Sequence, residues 1–323
     1  MISIDKQPNW TTTFDEDFTR AHYRQLLCAA KDAYQFATYD SVPWGTRFIL
    51  WRHDLDISIN RAADLARIES EEGVISTYFV NPHSEFYNPF DVHQAQLIKY
   101  ILGFGHRLGL HFDASFHKIQ SEEQLHSKVA QEASWLEESF ESLVDAFSFH
   151  NPGPKDLQYS ADHYGSLINC YSHRFKSDVP YCSDSNGYWR FRRLHDVLIE
   201  AKDPCLQVLT HPGWWQDKPM PPRQRIVRSA YGRAASTMHQ YDEDLLRNGR
   251  LNHSLNNSFI NLLKNDKPDF LQLFDVLWNV GAYDSLFTEL WSLFEKQLNR
   301  LCIAVLRKEW LVSAPNVSNF FDQ

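Results

Sequence analysis

Short hydrophobic runs alternate with longer amphipathic stretches between residues 44 and 215. The runs span 47–51 (RFILW), 76–80 (STYFV), 107–112 (RLGLHF), 145–149 (DAFSF) and three weaker segments near 168–171, 179–183 and 206–210. The stretches between them predict helices over 58–73, 91–104, 121–139, 156–168 and 193–201. This alternation is typical of a parallel sheet covered by helices. The strand count favours the α/β class, as a distorted (β/α) barrel of about seven parallel strands.

Local signals delimit two of these helices. Ser58 has the side chain of an N-cap residue, and Gly73 stands where that helix should end. Ser121 and Gln124 have the spacing of a capping box, which predicts that the next long helix begins there.

Met220-Pro221-Pro222 separates the alternating part from a region with only helical periodicity. We therefore expect a barrel domain over residues 1–219 and a helical C-terminal extension over residues 220–323. Within the extension, apolar side chains repeat at helical spacing behind Asp284, at Leu286, Leu290, Leu293, Leu298, Leu301 and Val305. The first interpretation of this stripe is a packing face, and self-association through these helices is the alternative.

Composition excludes several classes of protein. The chain has 323 residues, of which 43% are hydrophobic, enough for a substantial core. A net charge of -9 argues against nucleic acid or an anionic membrane as the partner. No apolar run approaches the roughly 18 residues of a membrane span. The N-terminus lacks the pattern of a secretory signal, and the five cysteines are scattered, so a reduced cytoplasmic protein is expected.

Five of the predicted strands end in histidine or aspartate. These side chains are Asp54 and Asp56, His111 and Asp113, His150, Asp184, and His211. In a parallel barrel the C-terminal strand ends converge on one face, where active sites are built. We therefore expect these residues to form one site.

Asp54 and Asp56 lie two residues apart, so an extended chain places both on one face. Two close carboxylates repel each other unless a cation or a shared proton intervenes. One carboxylate bound to a metal and the other acting as a base would satisfy this condition. Capping of the helix at Ser58 is the alternative, but it accounts for only one of the two acids.

His111 and Asp113 repeat the same spacing, and imidazole with carboxylate is a usual ligand set for zinc. His211 precedes Pro212, Gly213 and two tryptophans, which suggests a proton donor beside an aromatic wall; a turn histidine bonded to the backbone is the alternative. Asp184 is a candidate to orient a histidine, and Arg190 to pair with a catalytic carboxylate. Both would equally fit ordinary ion pairs.

The segments RHDLD, TYFV, GLHFDAS, SFHNP, SDSNGYWR and LTHPGWW, in this order, resemble the polysaccharide deacetylase superfamily, carbohydrate esterase family four in the broad sense. The resemblance covers roughly residues 45–215. It implies a distorted barrel that holds one divalent ion, usually zinc, and hydrolyses N-acetyl and sometimes O-acetyl groups on sugars. It further implies the following roles: general base for Asp54, metal ligands for Asp56 and His111, general acid for His211, and tuning of both by Asp184 or Arg190.

The sequence departs from the family pattern in three places. Leu55 separates two aspartates that are usually adjacent, and no Gly-Pro follows them. The usual H-x-x-x-H is absent, since the next histidine after His111 is His117. The third ligand therefore stays open among Asp113, His117 and His150, and Asp113 is preferred because it shares a face with His111. His150 also replaces the arginine that usually opens the third motif.

We expect a metal-dependent hydrolase that removes an acetyl group from an N-acetylated sugar or sugar precursor. Candidate substrate contacts are His150, Tyr87, Trp189, Trp214 and Trp215. Two alternatives remain at this point: hydrolysis of another amide C–N bond, and a non-catalytic binding protein that has kept the fold.

Overall fold

The computed structural model describes residues 15–189 and 191–250. The helices in these ranges are α1 (Arg20–Ala33), α2 (Ile59–Glu71), α3 (Val92–Gly103), α4 (Ala114–His117), α5 (Glu122–Phe140), α6 (His173–Asp178), α7 (Leu194–Glu200) and α8 (Pro222–Arg247). The strands are β1 (Gln35–Ala37), β2 (Phe48–Leu55), β3 (Thr77–Val80), β4 (Arg107–Phe112), β5 (Val144–Phe149), β6 (His163–Tyr164), β7 (Leu167–Asn169), β8 (Tyr181–Ser183) and β9 (Cys205–Thr210).

All the described strands belong to one sheet, in the order β6-β7-β5-β4-β3-β2-β9-β8, with β1 against β2. Every pairing is parallel except that of β6 with β7. The path from β7 to β8 therefore contains seven parallel strands. The predicted α/β class and strand number are confirmed. Among the described pairings none joins β8 to β7, so closure of the sheet into a barrel stays a prediction.

Strand β2 has two faces of different character. Phe48 and Leu50 pack in a core cluster with Phe79 of β3, and Arg52 and Asp54 continue the same face; we call this the site face. The intervening residues pack against the helices, as Ile49 and Trp51 do in a second cluster. Because strand side chains alternate, the face that a residue occupies follows from its parity. His53 therefore lies opposite Asp54, away from the site.

His53 takes part in a buried network that joins the sheet to the helices. Its Nε2 lies 2.6 Å from Oε1 of Glu69 in α2, and its Nδ1 lies 2.6 Å from Oγ1 of Thr210 in β9. The hydroxyls of Tyr23 and Tyr78 also donate to the Glu69 carboxylate. Burial alone would raise the pKa of Glu69, but His53, His106 and the hydrogen bond from Tyr23 lower it to about 2.

Glu69→Gln is expected to lower the free energy of unfolding at pH 7 by about 1.5–3 kcal/mol, because it removes the charge from a fully buried carboxylate that accepts hydrogen bonds from Tyr23 and Tyr78. The pKa of Glu69 is lower in the folded state, so its contribution is present above its ordinary pKa of 4.5 and is lost as pH falls toward about 2. Urea unfolding from pH 7 to pH 3 measures both effects. The exposed Glu71→Gln on the same helix is the control, with an expected loss below about 1 kcal/mol. Equal losses in the two variants would contradict this account.

The predicted helix starts are confirmed. Ser58 caps α2 by accepting a hydrogen bond from the Arg61 N–H, and Gly73 follows the helix with a φ of +71°. Ser121 caps α5, and the Gln124 side chain accepts from the Gln120 N–H.

The predicted helix over 156–168 is wrong. Only a single 3-10 turn, Asp156–Gln158, forms there, and a β6–β7 hairpin follows it. Gly165 and Ser166 connect the two strands with φ values of +57° and +69°, as a type I′ turn requires. The sequence pattern also missed α1 and β1.

Helix α8 begins at Pro222, and proline suits a first helical position. The chain divides into two compact units after Arg233, inside this helix, and the division after residue 219 stays a prediction. The apolar stripe from Leu286 to Val305 lies outside the described residues. Within the part of the chain described, no helix has the length and apolar character of a membrane span.

Candidate active site

Four parallel strands bring the predicted residues to one edge of the sheet. Asp56 follows the last residue of β2, and His111 is the penultimate residue of β4. His150 follows β5, and His211 follows β9. Since β4 pairs with β5 and β2 pairs with β9, these carboxyl ends lie side by side.

Asp56, His111 and His150 form a compact triangle of donor atoms, which we call the metal triad. Asp56 Oδ1 lies 3.0 Å from His111 Nε2 and 3.2 Å from His150 Nδ1, and the two nitrogens are 3.2 Å apart. In a tetrahedral zinc site with bonds of about 2.0–2.1 Å, ligand atoms are separated by roughly 3.3 Å. The triad therefore fits one divalent ion and leaves a fourth coordination position open.

Hydrogen bonds behind the triad connect His111 to Asp54. Ser148 Oγ donates to Asp54 Oδ2 over 3.2 Å, and the same oxygen lies 2.7 Å from His111 Nδ1. With its proton given to the carboxylate, the Ser148 oxygen can accept a hydrogen bond from His111 Nδ1. The tautomer with the proton on Nδ1 would leave the Nε2 lone pair facing Asp56 and His150, which is the form that binds a metal.

The charge state of Asp56 also suits a ligand. Burial by itself would raise the pKa of this carboxyl, but the neighbouring imidazoles of His111, His150 and His211 lower it well below its ordinary value. Asp56 therefore stays ionised over the whole neutral range.

Asp54 is buried beside the triad with one oxygen satisfied and one free. Its Oδ2 accepts from Arg52 over 3.0 Å and from Ser148, whereas its Oδ1 is buried and has no hydrogen-bond partner among the described residues. A buried acceptor without a donor costs about 1–3 kcal/mol. Asp54 Oδ1 is therefore available as a hydrogen-bond acceptor beside the triad.

His211 lies on the other side of Asp56, with Nε2 at 3.6 Å from Asp56 Oδ2. Its Nδ1 is 2.6 Å from Oδ1 of the fully buried Asp184. The Asp184 carboxylate also accepts hydrogen bonds from the His211 backbone N–H and, through Oδ2 over 3.2 Å, from the Trp215 indole N–H. Burial would lower the pKa of His211, but the Asp184 carboxylate, with Asp56 and Asp54, raises it to about 9.

Asp113 is not part of the triad. Its Oδ1 accepts from the backbone N–H groups of Ser115 and Phe116, so it caps α4. His117 lies at the end of α4 and contacts Glu132, away from Asp56. Of the three alternatives for the third ligand, the structure brings His150 to Asp56 and His111.

Three of the four aromatic side chains that were predicted to contact a substrate are buried instead. Tyr87 is buried, and its hydroxyl donates to the Leu55 carbonyl and accepts from the Asn81 N–H. Trp214 and Trp215 are core residues of the cluster behind the site. Trp189 is half-buried against Phe18, with ring centroids 5.5 Å apart, and so keeps part of its surface open to a ligand. Arg190 lies outside the described residues.

Two residues that the sequence analysis did not single out support the site. Arg52 is buried and binds Asp54, and Ser148 links Asp54 to His111. Both could have been found from strand parity, because Arg52 stands two residues before Asp54 and Ser148 two residues before His150.

The chain matches no family profile and no curated protein sequence. Similar solved structures include the Xyl-CE4 domain of a multidomain xylanase from the hindgut metagenome of Trinervitermes trinervoides, with 12% identity over 61% of this chain and 85% of that one and a TM-score of 0.36. A family 4 acetyl xylan esterase from Clostridium thermocellum has 15% identity over 57% and 84%, with a TM-score of 0.36. The chitin deacetylase of Colletotrichum lindemuthianum has 13% identity over 58% and 83%, with a TM-score of 0.32. The first two carry the name of carbohydrate esterase family four, which the sequence motifs resemble.

Proposed function

We propose that this protein is a metal-dependent hydrolase that removes an acetyl group from an N-acetylated sugar or sugar precursor. The observation that carries the proposal is the triangle of Asp56 Oδ1, His111 Nε2 and His150 Nδ1, with sides of 3.0–3.2 Å, next to a free carboxylate oxygen and a histidine that can give up a proton.

Asp56, His111 and His150 would hold one divalent ion, with zinc the expected metal for this set of nitrogen and oxygen ligands. Such an ion, when bound, polarises the acetyl carbonyl and lowers the pKa of a water ligand from about 16 to about 7. Asp54 Oδ1 then accepts the proton that the attacking water loses. Arg52 and Ser148 bind the other oxygen of Asp54 and so keep the free oxygen directed into the site.

His211 acts as the general acid. Its raised pKa of about 9 keeps the imidazolium form at neutral pH, and its Nε2 faces the site while Nδ1 is held by Asp184. It protonates the nitrogen as the C–N bond breaks, so that the products are acetate and a free amine. Asp184 orients this ring, and Trp215 in turn fixes Asp184.

The choice of an acetylated sugar as the substrate rests on the resemblance of the motifs to the deacetylase family. Trp189 is the remaining candidate for stacking on a sugar ring. The same arrangement would serve another amide C–N bond, so the choice of substrate is tested directly. Acetate release from a panel of N-acetylated and O-acetylated sugars is the assay, with formyl and longer acyl amides as competitors.

His150→Ala and Asp113→Ala together test the proposed ligand set. We expect the first to remove the metal and the acetate release, because the ion loses one of three protein ligands. We expect the second to keep both and to lose about 1 kcal/mol of stability, because Asp113 caps a short helix. Metal content and acetate release are measured on the same samples, with the exposed His93→Ala as control. A metal-free Asp113→Ala with a fully loaded His150→Ala would reverse the assignment.

The rival is a non-catalytic protein that has kept the fold. It predicts that the wild-type chain binds metal at the triad but releases no acetate from any member of the panel.

A further inference from the structure

A second group of metal-binding side chains lies on the opposite face of β4 from the metal triad. His83 follows β3, His117 ends α4, and Glu132 lies in the middle of α5. We call these three residues the outer cluster. His111 points into the site, and the next residue, Phe112, points to the helices, where it stacks on His117 with ring centroids 5.3 Å apart. The outer cluster therefore lies on the Phe112 side of β4, and it shares no residue with the triad.

The donor atoms of the outer cluster converge on one point. Both imidazoles direct Nε2 at the same carboxylate oxygen, Glu132 Oε1, with His83 at 2.6 Å and His117 also in contact. All three donor atoms lie within 4.8 Å of one another. A tetrahedral zinc ion needs separations of roughly 3.3 Å, so binding would require His83 Nε2 to move away from Glu132 Oε1 by about 0.7 Å and His117 Nε2 by somewhat more.

Neighbouring residues hold both rings in place. His83 stacks on Phe116 with centroids 3.6 Å apart, and its backbone N–H donates to Asn81 Oδ1 over 2.8 Å. His117 is fixed by its stacking on Phe112 and by the helical turn that Asp113 caps. Rings held by packing and by capped backbone are what a preorganised metal site requires.

The Glu132 carboxyl gives an independent reason to expect a cation. The side chain is 0% exposed, and its Oε2 is buried with no hydrogen-bond partner among the described residues. Burying a carboxylate with one oxygen unpartnered is costly unless a cation compensates it.

We propose that His83, His117 and Glu132 bind a second divalent cation of the zinc class, separate from the proposed catalytic ion. Two imidazoles and one carboxylate are a known zinc ligand set. Because the three side chains are largely buried, the ion has a structural role: it ties the segment after β3 and helix α4 to helix α5.

The test counts zinc ions on the full chain, independently of catalysis. After chelation and dialysis against zinc chloride, the wild type is expected to retain about two ions per chain, and His111→Ala and Glu132→Gln about one each. The double variant should retain none. Within the His111→Ala background, zinc should raise Tm by about 5 °C, and the added Glu132→Gln should abolish that rise.

Glu138→Gln is the matched control, since it is an exposed glutamate on the same helix. His83→Ala provides a second route if Glu132→Gln fails to fold, because His83 is in a loop. Loss of one ion in His83→Ala supports the proposal. If His111→Ala binds no zinc, or if Glu132→Gln binds as much as wild type, the outer cluster is a hydrogen-bonded group without a metal, and the proposal is wrong.

Discussion

Asp56→Ala protein is expected to release no acetate above background and to bind one divalent ion fewer than the wild type. Asp56 is the only anion of the metal triad, and its oxygen lies 3.0–3.2 Å from both nitrogen ligands. Removing it leaves two neutral imidazoles, and the activation of water is lost with the ion. Since metal activation contributes several kcal/mol and each 1.36 kcal/mol is tenfold in rate, the loss should exceed about 10³-fold.

Acetate release and metal analysis on the same preparation measure this effect, and Asp162→Ala is the control because Asp162 is an exposed aspartate remote from the triad in sequence. An Asp56→Ala protein that turns over at the wild-type rate without metal would contradict the mechanism.

His211→Ala is expected to lower kcat by about 10²–10⁴-fold while the metal stays bound. The leaving amine needs a proton, and His211 is the histidine whose Nδ1 is held by the buried Asp184. Because His211 is outside the triad, metal content should match the wild type. Steady-state kinetics with metal analysis separates this variant from Asp56→Ala.

Asp184→Asn, a change that keeps the size of the side chain, tests whether the Asp184 carboxylate orients and charges His211. The amide keeps the size of the side chain but loses the charge that holds the imidazolium, so kcat should fall less than in His211→Ala while KM changes little. A fall in kcat that is larger than that of His211→Ala, or loss of the metal, would show that Asp184 acts chiefly on the fold.

The alternation of side chains along a strand correctly placed Asp54 and Asp56 on one side of β2. The same rule failed for Asp113, which it had favoured as the third metal ligand. Asp54 and Asp56 lie on the same side, each against a different nitrogen of His111. The same reasoning favoured Asp113, but β4 ends at Phe112 and the chain turns into α4. Alternation no longer applies beyond that point, so Asp113 turns back to cap the helix.

His150 reaches the triad through the pairing of two strands, which no local pattern reveals. In the register of β4 with β5, His111 stands opposite Ser148. His150 is two residues further on the same face, so its ring reaches past the end of β4 to Asp56. The sequence analysis named His150 as an alternative ligand but had no means to choose it, because register depends on which strands are neighbours.

Two buried glutamates were also missed, because charged residues on helices usually face solvent. Glu132 lies on the apolar face of α5 that Leu125, Val129 and Leu136 define, and Glu69 lies on the buried face of α2. An acidic residue at an apolar position of a helix indicates that a cation or a hydrogen-bond donor contacts its carboxylate in the protein interior. In this chain one such acid meets His53, and the other meets His83 and His117.

The rate of acetate release as a function of bound zinc, starting from chelated protein, tests the central claim most directly. We expect the rate of acetate release to rise as zinc occupies the metal triad, both in the wild type and in Glu132→Gln. In His150→Ala the rate should stay at background at every zinc concentration. Full activity of the chelated wild type, or zinc-dependent activity in His150→Ala equal to that of the wild type, would contradict hydrolysis at the Asp56, His111 and His150 triad.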